Sequence, residues 1–137
     1  MKKILIVNAN YYTKISQKLV LSAQKKLLNK KFKVSILDVP GIYEIPIAIR
    51  KNINKYNGFV ALGCVIKGET PHFDFISSST TNAIMKISVD KKKPIGNGII
   101  TCLNKKQAEV RSKHKGREAV EAVVAILNKL PELKYPN

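Results

Sequence analysis

The chain has 137 residues, 45% of them hydrophobic and 25% charged; this is the composition of an ordinary soluble protein, at a length that buries a core without disulfide or metal staples. Lys and Arg number 25 against 9 Asp and Glu, so the formal net charge is +16. Only Arg50, Arg111 and Arg117 are arginines, and the lysines are spread over every segment. A nucleic-acid surface would interleave arginine forks and aromatics on one face, so the charge reads instead as solvated lysine that draws in small anions.

In chain order, 3–8 reads as a short apolar strand of the kind buried in a parallel sheet. After a polar turn at 9–14, Ile15, Leu19, Ala23 and Leu27 recur at helical spacing as far as Asn29. Residues 33–39 form a β-rich run, with Val34 and Ile36 alternating with Ser35 and Leu37, ended by Pro40-Gly41. Residues 44–55 carry Ile45, Ile49 and Ile53 at spacing four and predict a helix. The break at Tyr56-Asn57-Gly58 opens a third strand, 58–66. A helix over 71–89 presents Ile76, Thr80, Ala83, Ile84 and Ile87 on one face. A fourth strand, 94–101, is interrupted by Gly96 and Gly98. A short helix at 105–111, a polar loop at 112–116, a final helix at 117–130 and an irregular tail complete the chain. The order β-α-β-α-β-α-β-α-α predicts an α/β fold, a three-layer α/β/α sandwich on a four-stranded parallel sheet (flavodoxin-like), in a single domain over 1–137.

Cys64 and Cys102 lie in separate apolar runs and belong to no CxxC or Cys/His cluster. Two buried, reduced thiols and no metal site are expected. The amino-terminal apolar run stops at Asn8-Ala9-Asn10, too short for a secretory leader, and no segment reaches the roughly 18 apolar residues of a membrane helix. The expected location is cytoplasmic, with no membrane partner.

The most informative stretch is Gly63-Cys64-Val65-Ile66-Lys67-Gly68-Glu69-Thr70-Pro71-His72-Phe73-Asp74. It reads as strand, glycine-bounded turn and helix start, with Pro71 at the first helical position and Thr70 as its cap. The N–H groups of such a first turn form an anion site. His72, the side chain suited to proton transfer near neutral pH, falls in the same turn. In parallel α/β sheets ligands sit beyond the carboxyl ends of the strands. That rule gathers four loops, 9–14, 40–44, 64–72 and 101–105, and brings Tyr11, Tyr43, Glu44, Lys67 and His72 to one edge. Lys67 and His114 read as solvated surface residues.

This stretch, together with Val39-Pro40-Gly41-Ile42-Tyr43-Glu44-Ile45-Pro46 and Pro94-Ile95-Gly96-Asn97-Gly98-Ile99-Ile100-Thr101, resembles the lumazine synthase family of riboflavin biosynthesis, in order and over nearly the whole chain. The resemblance implies condensation of 5-amino-6-(D-ribitylamino)uracil with 3,4-dihydroxy-2-butanone 4-phosphate to give 6,7-dimethyl-8-ribityllumazine, phosphate and water. It implies no cofactor and no metal, two small-molecule substrates, and a homo-oligomer built from pentamers with sites between neighbouring subunits. His72 would be the proton donor and acceptor. Glu69 and Thr70, through their backbone, and Arg111 would hold the phosphate. Tyr11 aligns with the aromatic that stacks on the pyrimidine. Ile42, Tyr43 and Glu44 align with the loop around the ribityl chain and ring, Cys64, Val65 and Ile66 with the strand end facing the ring, and Lys115 with a lysine near the pyrimidine.

Three departures stand out. Many relatives have Arg-Phe-Asn after the first strand where this chain has Asn10-Tyr11-Tyr12, so the stacking aromatic is Tyr11 or, with a shift of one, Tyr12. Position 97, often a second stacking aromatic from the neighbouring subunit, is Asn97, which offers hydrogen bonding instead. The loop 112–116 is shorter than in many relatives, and Lys115 sits at its end. Because the first strand comes at once, an extension of the kind many relatives lay on a neighbour's sheet is not expected. The alternatives are a basic shell or nucleic-acid-binding protein on the same scaffold, and a related pentameric riboflavin synthase.

Overall fold

The computed structural model describes residues 1–69 and 71–128. Its sheet is four-stranded, with β1 Lys3–Ala9, β2 Lys33–Val39, β3 Gly58–Ile66 and β4 Ile95–Cys102 in the order β2-β1-β3-β4. Each neighbouring pair is parallel. The order reverses direction between β1 and β3, the kind of switch point where ligands bind in open α/β sheets. β3 is buried at all nine positions. It pairs on both sides and is covered on both faces, which is why its sequence is a continuous apolar run rather than an alternating one.

Among the described residues there are five helices, α1 Thr13–Asn29, α2 Ile45–Lys51, α3 Phe73–Lys91, α4 Lys105–Arg111 and α5 Lys115–Asn128, with a 3-10 turn at Ile42–Glu44 before α2. The period-two alternation of the strands sorts the core into two clusters. One joins Ile4, Ile6, Val60, Leu62, Cys64, Ile66, Ile100 and Cys102 to the inner faces of α1, α4 and α5. The other joins Leu5, Val7, Ala9, Phe59, Ala61 and Val65 to Ile42, Ile45, Ile49 and Ile84 on the 3-10 turn, α2 and α3. The three-layer sandwich is therefore present, with α1, α4 and α5 on one side and α2 and α3 on the other.

Gly96 and Gly98, which look like interruptions of a strand, are where α5 packs. A Cβ at Gly96 would run into the main-chain carbonyl of Ala119, and one at Gly98 would meet the Ala119 Cβ at 3.3 Å. Several element bounds differ from the sequence expectation. The helix expected over 44–55 is a 3-10 turn and a seven-residue helix, and 52–55 is a turn. β2 does not alternate in burial: Val34 is half-buried and 35–38 are exposed, because β2 is an edge strand. α5 begins at Lys115, two residues before the expected start, and its expected end at 130 lies outside the described residues, as does the tail. No helix among the described residues is long and apolar enough to cross a membrane.

Candidate active site

The carboxyl ends of β1, β2 and β3 present the loops expected there. Tyr11, two residues past β1, is 69% exposed, and its ring meets that of Tyr12 edge-on with centroids 4.9 Å apart. Tyr12 packs against the core cluster of α1 and α5. Tyr11 is thus the more exposed of the two rings. Beyond β2, Ile42 is buried while Tyr43 is 52% exposed. Ile42 lies directly over Gly63 of β3, where a Cβ would collide with its Cδ1. Gly63 is therefore what lets the 41–44 turn settle onto the sheet and hold Tyr43 and Glu44 at its edge. Glu44 folds back over Gly41, its Oε1 3.2 Å from where a Cβ there would lie.

After β3 the chain turns through Lys67, Gly68 and Glu69, all exposed. Gly68 has φ +84, a left-handed conformation that glycine adopts without Cβ strain. His72 is also left-handed, at φ 61 and ψ 36, and is the residue before α3. This corrects the expectation of a helix from Pro71. A helix through position 72 needs right-handed backbone there, and the left-handed His72 delays α3 to Phe73. Thr70, expected as cap and phosphate contact, lies outside the described residues. The first helical bond of α3 runs from the Ile76 N–H to the His72 carbonyl at 2.8 Å, so the N–H groups ahead of it have no intrahelical acceptor. A bulky residue in the left-handed region carries about 1–2 kcal/mol of strain, and such residues collect at functional sites. The His72 side chain is exposed and makes no capping hydrogen bond.

A second group lies along the open edge of β4. Asn104 caps α4 by accepting from the Gln107 N–H at 2.9 Å, and the Gln107 Oε1 accepts from the Leu103 N–H at 2.9 Å. This reciprocal cap fixes the start of a seven-residue helix, and Arg111 ends it. Its Nη1 donates to the Thr101 carbonyl at 2.8 Å, and the guanidinium also acts on the Cys102 thiol. Arg111, Thr101, Lys115, His114 and Glu118 line a cavity of about 300 Å³. Lys115 and Glu118 form an ion pair at 3.8 Å. Asn97 is exposed on the same strand, with its Oδ1 accepting from the Ile99 N–H at 3.0 Å. That bond satisfies an edge N–H and turns the carbonyl away from solvent chemistry, leaving the amide NH2 as the group Asn97 can offer.

Cys64 and Cys102 are free and buried. They meet on the face covered by α1 and α5. Burial first, then the adjacent Cys102 and the Glu69 charge, pushes the Cys64 thiol up to about 12. Burial raises Cys102 as well, against the pull of Arg111. Neither thiol is a nucleophile at neutral pH. Cys64, Val65 and Ile66, expected to face the ring, are all buried, with Val65 facing the opposite layer from its two neighbours. Among the described residues no three His, Cys, Asp or Glu side chains gather as metal ligands.

The sequence profile of the 6,7-dimethyl-8-ribityllumazine synthase family matches residues 1–131. The chain belongs to that family. The 6,7-dimethyl-8-ribityllumazine synthase of Bartonella tribocorum is 41% identical over 131 residues, covering 90% of this chain and 87% of the relative. That of Novosphingobium aromaticivorans is 41% identical over 133 residues, covering 93% and 95%. That of Zymomonas mobilis is 37% identical over 134 residues, covering 93% and 96%.

Against this family background, the expected residues of the lumazine synthase fold gather at the carboxyl end of the sheet, where Thr101 lines both the Arg111 cavity and a groove shared by Asn97 with Phe73 and Asp74, next to His72. Tyr11, Tyr43, Glu44, Glu69 and His72 stand at the carboxyl edge. Arg111 and Lys115 share the β4-edge cavity, which neither His72 nor Glu69 lines. Thr101, His114 and Glu118 belong to that cavity and were not foreseen. The signal for His114 was its position: three residues after Arg111 and one before Lys115, it lies within a turn of both.

Proposed function

We propose that the chain condenses 5-amino-6-(D-ribitylamino)uracil with 3,4-dihydroxy-2-butanone 4-phosphate, forming 6,7-dimethyl-8-ribityllumazine, phosphate and water, and that two subunits build each site. The carboxyl edge of one subunit supplies Tyr11 for ring stacking, Tyr43 and Glu44 for the ribityl chain and ring, and main-chain groups at the end of β3. His72 moves protons between the substrate amine, carbonyl oxygen and solvent. The main chain at Glu69 and the start of α3 are assigned to the phosphate. The β4 edge of the neighbour adds Arg111, Lys115 and the amide of Asn97. No metal or organic cofactor takes part.

The chemistry fits this inventory. Amine attack on a ketone, phosphate elimination and ring closure with loss of water are proton transfers around two reactive partners. Holding those partners in register supplies roughly 7–11 kcal/mol by itself, so one imidazole and a phosphate clamp suffice. The observation that carries the reading is the left-handed, exposed His72 immediately before α3, in a chain that matches the family over residues 1–131. Membership of the family over residues 1–131 supports a site shared between subunits of a homopentamer, in a single domain over 1–137. A cytoplasmic location accords with the free thiols.

The test is direct. Both substrates are mixed with substoichiometric protein and the lumazine chromophore is followed. Formation well above the uncatalysed rate is expected; no acceleration would sink the reading. Offering the lumazine as sole substrate separates this activity from a riboflavin synthase, and no turnover is expected there.

A further inference from the structure

We infer that His114 is a proton-dependent member of the phosphate pocket, so that affinity for a dianion falls as pH rises through the histidine range. The inference rests on the reading of Arg111 as the phosphate anchor and adds a residue and a pH response to it.

His114 occupies the three-residue turn between α4 and α5. Its N–H donates to the Arg111 carbonyl at 3.2 Å, and its carbonyl accepts from the Glu118 N–H at 3.1 Å. The backbone is therefore pinned to the two residues that flank the cavity, and the side chain lines it together with Arg111 and Lys115. Lys115 is partly matched by Glu118, 3.8 Å away, and Arg111 has one N–H committed to the Thr101 carbonyl. With Arg111 and Lys115 at +1 each and Glu118 at −1, the cavity carries +1 when His114 is neutral and +2 when it is protonated. Lys113 adds a further cation to the same turn. From β4 the cavity receives Ile99, Ile100 and Thr101, none of them ionisable. Among the described residues lining this cavity His114 is the one imidazole, the side-chain type suited to a charge change near neutral pH. Protonated, it doubles the net charge facing the anion. A bound dianion favours that protonated form, so binding takes up a proton and weakens above the histidine range.

Sulfate is the probe, because it stays dianionic across the range and only the protein titrates. Its dissociation constant is measured calorimetrically on the assembled protein at pH 6 and pH 8. The native protein should bind about five-fold more weakly at pH 8, the scale of one unit charge at contact distance in a solvated site. His114→Asn should bring the ratio of the two constants close to one. His114→Lys, charged at both pH values, should bind tightly at both, an outcome that a merely structural histidine does not produce. Lys86→Gln, on the exposed face of α3, should keep the native ratio. A five-fold ratio surviving in His114→Asn, or no pH response in the native protein, overturns the inference while leaving the pocket intact. Native affinity in Arg111→Ala overturns the phosphate pocket itself, and the inference with it.

Discussion

Replacing Gly63 by alanine tests whether the 41–44 turn is held over β3 as described. The added Cβ would collide with Ile42 Cδ1 and would stand 3.1 Å from the Ala9 Cβ, while Ile42 Cγ1 would be 3.9 Å away, an ordinary contact. One terminal methyl therefore carries most of the clash. Overpacking of this kind costs about 1–3 kcal/mol. Because Ile42 is on the turn that carries Tyr43 and Glu44, relief of the clash moves those residues. Ile42→Val removes the offending methyl at a cost of about 0.5–1.5 kcal/mol. In the double variant the alanine meets only ordinary contacts on that side, so its stability should approach that of Ile42→Val alone. The expected coupling is on the order of 1–2 kcal/mol, within the range for residues in contact. Urea titrations of the four proteins at one fixed concentration measure it, since assembly makes stability concentration-dependent. Steady-state kinetics should show Gly63→Ala raising KM for the pyrimidine more than for the butanone phosphate, with recovery in the double variant. Additive energies within about 0.5 kcal/mol, or an equal effect on both substrates, would refute the placement of the turn.

Three further outcomes are expected. Arg111→Ala removes a charged donor to phosphate, worth roughly 1.5–3 kcal/mol, so kcat/KM for the butanone phosphate should fall by about 10–150-fold while pyrimidine affinity changes little; equal losses would argue against the phosphate role. His72→Asn keeps a side chain that tolerates left-handed backbone and should lower kcat by on the order of 100-fold without unfolding the protein, which thermal denaturation checks. The Cys64 thiol, raised in the fold from 9.0 to about 12, stays protonated where the unfolded chain ionises. Its contribution is present below pH 9 and is lost as pH rises through about 12, at on the order of 1 kcal/mol per pH unit. Cys64→Ala should flatten the decline in urea midpoint between pH 9 and 10.5, and an unchanged slope would contradict the burial argument.

The strands were legible because burial writes itself into them. The unbroken apolar run 58–66 announced a central strand, and the alternation of strands with helices announced the parallel sheet. The loops that follow the strand ends, and with them Tyr11, Tyr43, Glu44 and His72, are gathered by the sequence, since topology alone puts them at one edge. The left-handed His72 was not legible. Nothing in Pro71-His72-Phe73 forces it, and tertiary context decides whether a non-glycine residue takes that conformation. The opposite orientation of Val65 from Cys64 and Ile66 follows from the period of a strand, yet a motif read as a block hides it. His114 looked like a surface residue among lysines, and it is exposed. What the sequence did not reveal is that the turn from Arg111 to Lys115 folds it into the cavity they share.

The central claim is that His72 and Arg111 of one site come from different subunits. Mixing the separately impaired His72→Asn and Arg111→Ala subunits, unfolding them together and reassembling them tests it. If each site pairs the carboxyl edge of one subunit with the β4 edge of the next, random reassembly restores both groups at roughly one site in four, because heterologous contacts around a ring are drawn independently. About a quarter of native activity is predicted. Activity no higher than that of the separate variants would show that each site is built within one chain, and the account of the shared site would fail.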